Sequence, residues 1–209
     1  MKIGIMGGTF DPIHNGHLML GECAYRNFQL DQVWFMPNGR PPHKASQVIG
    51  SSIRHRLNMV SLAICSRPYF YLQPYEAERD AVSYSYETME HFKNNNPDDN
   101  FYFIIGADSL FTIEEWVHPE RLLQTCTILA ACREVVATLN NTKEMISFLK
   151  NKYNASIELL EAPLLSISSK EIRKQINSGG KCLEELLPVE IIHYISENNL
   201  YENINITCK

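Results

Sequence analysis

Apolar residues recur along this chain in two rhythms that alternate. Short apolar runs at Lys2–Met6, Gln32–Met36, Tyr69–Leu72, Phe101–Ile105, Thr127–Ala131 and Ile157–Leu160 read as strands. Between them lie stretches with helical spacing: 18–28, 51–65, about 83–95, 119–124 and 142–153. In the 51–65 stretch, Ile53, Leu57, Val60 and Ile64 share one face and Arg54 and Asn58 point away. Punctuation agrees with this division. Pro37-Asn38-Gly39 stops the second strand, Ser83 or Ser85 suits a helix cap, Pro97 closes the asparagine-rich end of that helix, and Pro119 suits a first helical turn. Two further helices, Ser168–Asn177 and Val189–Asn198, close the chain around Gly179-Gly180. The fully apolar run Phe101–Ile105 predicts a central parallel strand buried on both faces. Repeated β-α units predict an α/β fold: a Rossmann-like, doubly wound parallel sheet, helices on both faces and a helical C-terminal end.

Composition narrows the class. A chain of 209 residues suits a single domain spanning 1–209, and 44% hydrophobic with 21% charged residues argues for a packed core over disorder. No apolar run approaches the roughly 18 residues of a membrane span, and Asp11 and the early glycines interrupt any secretory signal, so neither membrane nor secretion is expected. The six cysteines, Cys23, Cys65, Cys126, Cys132, Cys182 and Cys208, show no C-x-x-C spacing and are read as reduced thiols of a cytoplasmic protein. A net charge of −5 disfavours nucleic acid as a partner.

The candidate chemistry begins directly after the first strand, in Gly7-Gly8-Thr9-Phe10-Asp11-Pro12-Ile13-His14-Asn15-Gly16-His17. Strand, glycine turn and helix start converge unpaired N–H groups and the positive end of a helix dipole, which is the physical recipe for an anion site. Gly7 and Gly8 leave room for a phosphate, and His14 and His17, three apart, can face one ligand from the first helical turn, with Gly16 keeping the approach open. The pattern is neither a P-loop nor a dinucleotide fingerprint. In an open α/β sheet ligands bind beyond the carboxyl ends of the strands. Gly106-Ala107-Asp108-Ser109, after the central strand, therefore opens onto the same edge as the first motif.

Gly-Gly-Thr-Phe-Asp-Pro-Ile-His-x-Gly-His resembles the opening motif of the bacterial nicotinate-nucleotide adenylyltransferases, of the H-x-G-H nucleotidyltransferase superfamily. The resemblance continues through Phe35–Asn38, Pro41-Pro42-His43-Lys44, Ser83-Tyr84-Ser85, Phe103–Ser109, Trp116 and Ile167-Ser168-Ser169. It implies ATP and nicotinate mononucleotide as substrates, magnesium accompanying ATP, and transfer of AMP to give nicotinate adenine dinucleotide and pyrophosphate in NAD biosynthesis. It further implies His14, His17, Lys44 and Arg173 as catalytic groups. ATP would be held by Gly7, Gly8, Thr9, Phe10, His14, His17, Gly106, Asp108, Arg133, Ser168 and Arg173; the mononucleotide would be held by Lys44, Ser83, Tyr84, Ser85, Gly106 and Trp116. Asp108 could meet a ribose hydroxyl or hydrated magnesium, and no protein-held metal site is implied. Serine at Ser85 keeps the hydroxyl of the family's threonine. Ser168 and Glu171 also form a capping-box pair, so this helix start has a structural role in its own right. Lys170 replaces a family threonine, and Arg133-Glu134-Val135 departs from the family's Arg-Pro-Gly. A nicotinamide-preferring adenylyltransferase, another H-x-G-H nucleotidyltransferase and a non-catalytic nucleotide sensor are the alternatives; a homo-oligomer is left open.

Overall fold

A computed structural model describes residues 1–39, 49–133, 136–163, 167–179 and 182–201; for residues 133 and 136–138 the backbone alone is described. Six parallel strands form one sheet: β1 (Lys2–Gly8), β2 (Gln32–Pro37), β3 (Phe70–Leu72), β4 (Asn100–Gly106), β5 (Thr127–Arg133) and β6 (Ile157–Ala162), in the order β3-β2-β1-β4-β5-β6. The helices are α1 (Asn15–Asn27), α2 (Ile53–Ile64), α3 (Ser85–Asn95), α4 (Ala107–Phe111), α5 (Pro119–Thr125), α6 (Val136–Tyr153), α7 (Ser169–Asn177) and α8 (Val189–Glu197).

Alternation along the strands sorts the helices to two faces. On β4, Phe101, Phe103 and Ile105 join the residues of α3, α5 and α6 in one core, while Ile104 points to the opposite core, built from α1, α2, α7 and α8. The predicted central strand is therefore covered on both sides, and the doubly wound reading holds. From β1 the chain builds outward through β2 and β3, then returns to place β4 on β1's other side. The order in which strands are added thus reverses between β1 and β4, which opens a crevice at their carboxyl ends.

Several local expectations are corrected. The cap of α3 is Tyr84, which makes no side-chain cap bond; Ser85 falls inside the first turn and Ser83 lies outside it. Helix α6 begins at Val136, not at Thr142; Thr142 is wholly buried within it, its hydroxyl 3.5 Å from the Cys132 sulfur. The buried stripe of α2 is Arg56, Met59, Val60, Ala63 and Ile64, and Ile53 and Leu57 are only half-buried. An arginine occupies that stripe because its guanidinium donates to the carbonyls of Thr9 and Asn38, each at 2.8 Å. Pro119 stands at the start of α5 as expected. No helix among the described residues is long and apolar enough to cross a membrane, and the cysteines among them are free thiols.

Candidate active site

Two cavities adjoin at the crevice. The first, about 500 Å³, lies over the ends of β4, β5 and β6, between the first turn of α1 and the start of α7. The second, about 440 Å³, lies over β1, β2 and β4, beneath the start of α3 and Trp116. His17, Leu20 and Gly106 line both. A Cβ built on Gly106 would meet nothing within 4 Å, so the boundary between the cavities is open at that residue.

The histidines are arranged by the helix start. His14 is the N-cap of α1, with extended backbone, and His17 sits one turn on. The His14 N–H donates to His17 Nδ1 at 3.3 Å, which places the proton of a neutral His17 ring on Nε2. The two rings stack with centroids 3.7 Å apart at 24°, and the edge of Phe10 closes on His17 at 5.0 Å. His14 is 5% exposed, and burial lowers its pKa to about 4, so it stands as a neutral imidazole near pH 7. Its buried Nδ1 has no hydrogen-bond partner among the described residues, and a Cβ on Gly16 would come within 3.0 Å of that atom. Gly16 thus makes room for the His14 ring itself, where the sequence suggested room for a ligand. Gly8 acts similarly: its Cβ would meet the Phe10 ring at 3.0 Å. Phe10 is 1% exposed and lines neither cavity. Gly7, Gly8 and Thr9 line the second cavity.

Across the first cavity stand Ile167, Ser168 and Ser169. Ser168 caps α7, accepting the Glu171 N–H at 3.2 Å, and its hydroxyl donates to the Glu171 carboxylate at 3.1 Å. Ser169 donates to the Pro12 carbonyl at 2.9 Å. Arg173 lines neither cavity: its Nη1 donates to the Asp11 carbonyl at 2.6 Å and lies 3.5 Å from the Asp11 carboxylate. The floor consists of small residues, Gly106, Ala107, Ala131, Cys132 and Ala162, with Asp108 at the edge. Lys44 lies outside the described residues, as does the side chain of Arg133, whose backbone ends β5.

The second cavity has an apolar floor of Met6, Met36, Phe103 and Ile105, walled by Trp116 and by Ser83, Tyr84 and Ser85. Ser83 is 4% exposed and its hydroxyl has no partner among the described residues. Sequence reasoning missed Glu76 here. Its buried carboxyl accepts Asn38 Nδ2 at 2.9 Å and the Thr88 hydroxyl at 2.8 Å, and burial raises its pKa. It also missed Asp11, Arg56 and Tyr201, which hold the motif from below. Asp11 was visible only as a turn residue, and the signal for Arg56 was a charge standing in line with Met59, Val60 and Ala63. Among the described residues no group of three or more His, Cys, Asp or Glu could hold a metal. The donor set fits an ion carried mainly by substrate phosphates, with Asp108 as the one carboxylate lining the first cavity among the described residues.

Residues 5–175 match the family model described as cytidylyltransferase-like. The chain is 42% identical over 203 residues to the "Probable nicotinate-nucleotide adenylyltransferase" of Carboxydothermus hydrogenoformans, covering 96% of this chain and 98% of that one. It is 38% identical over 201 residues to the protein of the same name from Lachnoclostridium phytofermentans, with the same coverage. The chain belongs to the nicotinate-nucleotide adenylyltransferase family. A solved structure described as "Plasmodium falciparum nicotinic acid mononucleotide adenylyltransferase complexed with NaAD" superimposes with a TM-score of 0.78 at 24% identity, over 96% of this chain and 97% of the other, which shows a shared fold. The family membership agrees with the resemblance carried by the H-x-G-H motif, and the shared fold with the predicted parallel sheet.

Proposed function

We infer that this chain transfers the adenylyl group of ATP to the phosphate of nicotinate mononucleotide, giving nicotinate adenine dinucleotide and pyrophosphate. The observation that carries the reading is the pair of cavities meeting at His17 and Gly106, one faced by stacked imidazoles and one by an apolar floor and an indole. Two nucleotides laid in them from opposite sides would bring their phosphates together at the junction. The relatives named for this activity support the substrates.

A phosphate oxygen of the mononucleotide, already anionic near pH 7, would attack the α-phosphorus in line. The bond to the bridging oxygen would break and pyrophosphate would leave with the electron pair. No side chain need act as nucleophile, so catalysis is positioning and charge stabilisation. His17 would donate through Nε2–H, and His14, neutral, through its second ring nitrogen. Ser168 and the first turn of α7 would meet the triphosphate from the facing wall, with Lys44 and Arg133 supplying charge. Arg173 would serve chiefly by holding the Asp11 turn. A divalent ion accompanying ATP would supply neutralisation of phosphate charge, and Asp108, which lines the first cavity, would meet its hydration shell. Trp116 would stack on the pyridine ring, and the uncapped start of α3, with Ser83 and Ser85, would bind its carboxylate. The free thiols suit a reducing cytoplasm.

The test is pyrophosphate release from ATP with each mononucleotide in turn. Release with the acid form and little with the amide supports the reading; release with the amide alone replaces the substrate; release with neither overturns the function.

A further inference from the structure

Below the strand-to-helix turn that carries the histidines lies a buried polar cluster whose centre lines neither cavity. At its centre is Asp11, 1% exposed. One carboxylate oxygen accepts the Ser51 hydroxyl at 2.5 Å and the Tyr201 hydroxyl at 2.9 Å. The other accepts the Gly50 N–H at 2.6 Å and lies 3.5 Å from Arg173 Nη1. The Asp11 carbonyl takes that same Nη1 at 2.6 Å. On either side, the Thr9 carbonyl takes Arg56 and the Pro12 carbonyl takes Ser169. The backbone from Thr9 to Pro12 is thereby gripped by α2 and α7, and the carboxylate at its centre joins residues 40, 162 and 190 positions away in sequence.

Burying a carboxylate is costly unless donors surround it, and here the donors come from three separate parts of the chain. A simple staple could have been apolar. What this arrangement adds is direction: each bond fixes the path of the strand-to-helix turn whose next residues are Ile13 and His14. His14 in turn donates its N–H to His17 and stacks on its ring. Tyr201 is buried at 2% beside Leu200, at the far end of the described chain, so packing of the C-terminal end reaches the histidines through one hydroxyl.

We propose that Asp11, with Tyr201 as its distant partner, is a positioning residue that sets the place of His14 and His17 for phosphate chemistry. The proposal rests on the functional reading above only in taking the histidines as phosphate donors.

Three variants test it: Tyr201→Phe, which removes the hydroxyl and keeps the buried ring; Asp11→Asn; and Leu200→Ala, which loosens the same end of the chain without touching Asp11. Melting temperature, kcat and KM for both substrates are measured well below the melting transitions, and the imidazole NMR resonances of His14 and His17 are recorded. Displacement of catalytic groups by a fraction of an ångström costs roughly fivefold to a hundredfold in rate. Tyr201→Phe is expected to lower kcat by at least about fivefold, with KM for the mononucleotide changed less than about twofold, and to shift both imidazole resonances. Leu200→Ala is expected to lose as much thermal stability or more and to keep kcat and the resonances. Asp11→Asn is expected to lose more than Tyr201→Phe, and the double variant no more than Asp11→Asn alone, because both act through one network. Should Asp11→Asn fail to fold, Tyr201→Phe against Leu200→Ala decides. Wild-type kcat and resonances in Tyr201→Phe, or a loss of kcat in Leu200→Ala that matches its loss of stability, overturns the proposal. An inactive wild type would count against the functional reading, and the resonance contrast would still judge the positioning role.

Discussion

The two cavities share one rim yet are built from opposite materials. The first is floored by glycine and alanine backbone and faced by two helix starts and two imidazoles; the second is floored by methionine and phenylalanine and walled by an indole. The difference teaches how a neutral-to-acidic chain can hold polyphosphate. The chain carries a net charge of −5, burial keeps His14 unprotonated, and the described residues lining the first cavity include no lysine or arginine, so a phosphate placed there would have to be met by oriented N–H donors. The second cavity offers area for a flat ring and reserves its polar groups for the rim. Each half therefore fails in its own way when altered.

The largest effect should come from the shared rim. His17→Ala removes the imidazole that lines both cavities, and loss of one preorganised donor to developing charge is expected to cost on the order of 3 kcal/mol, a hundredfold or more in kcat. His17 is only partly buried, so the melting temperature should stay nearly constant. Unchanged kcat in a folded variant would remove His17 from the chemistry.

Substitutions in the second cavity should separate ring from carboxylate. The wild type is expected to favour the acid mononucleotide by about tenfold or more in kcat/KM, since an amide would face N–H and O–H donors with an unpartnered NH₂. Trp116→Ala should weaken both mononucleotides together and leave that ratio standing, whereas Ser85→Ala should erode the ratio. Loss of the ratio in Trp116→Ala with the ratio kept in Ser85→Ala would mean that the indole, and not the start of α3, reads the carboxylate.

The first cavity carries a signature in pH. The folded His14 titrates near 4 against 6.5 for the unfolded chain, so the unfolded state takes up a proton first as pH falls. Stability from this group is whole above pH 6.5 and is lost as pH drops toward 4, with a slope approaching about 1.4 kcal/mol per pH unit. Urea unfolding at a series of pH values should show this slope in the wild type and a shallower one in His14→Asn. Identical slopes would mean that the His14 ring is solvated in solution.

The smallest effect should come from Lys170→Thr. Lys170 is exposed and lines neither cavity, and an exposed charge is worth about 1 kcal/mol or less and is screened by salt. KM for ATP should rise no more than about threefold at low ionic strength and match the wild type at high ionic strength. A collapse of activity would show that lysine does here what the family's threonine does elsewhere.

How far the sequence carried depends on the reach of the interactions. Residues 7–17 read as a candidate anion site from local pattern alone, because strand, turn and helix start lie within one short stretch. The six strands and their burial were likewise legible, since the apolar period depends on which faces are covered. Tertiary packing decided the rest. That Ser83 and Ser85 would flank the α3 cap without forming it, that α6 would begin at Val136, and that Arg56 would lie inside an apolar stripe all depended on acceptors and surfaces brought from elsewhere. Arg173 reads in sequence as a cation one turn into a helix, free to meet phosphate; in the fold it is committed to the turn below the histidines. Asp11 shows the division most fully: its place in the motif is local, but its partners Gly50, Ser51, Arg173 and Tyr201 meet only after the sheet has closed and α2, α7 and the C-terminal end have packed on one face. Periodicity and turn chemistry are short-range and so can be read along the chain, whereas a buried charge is defined by the donors that the folded chain assembles around it.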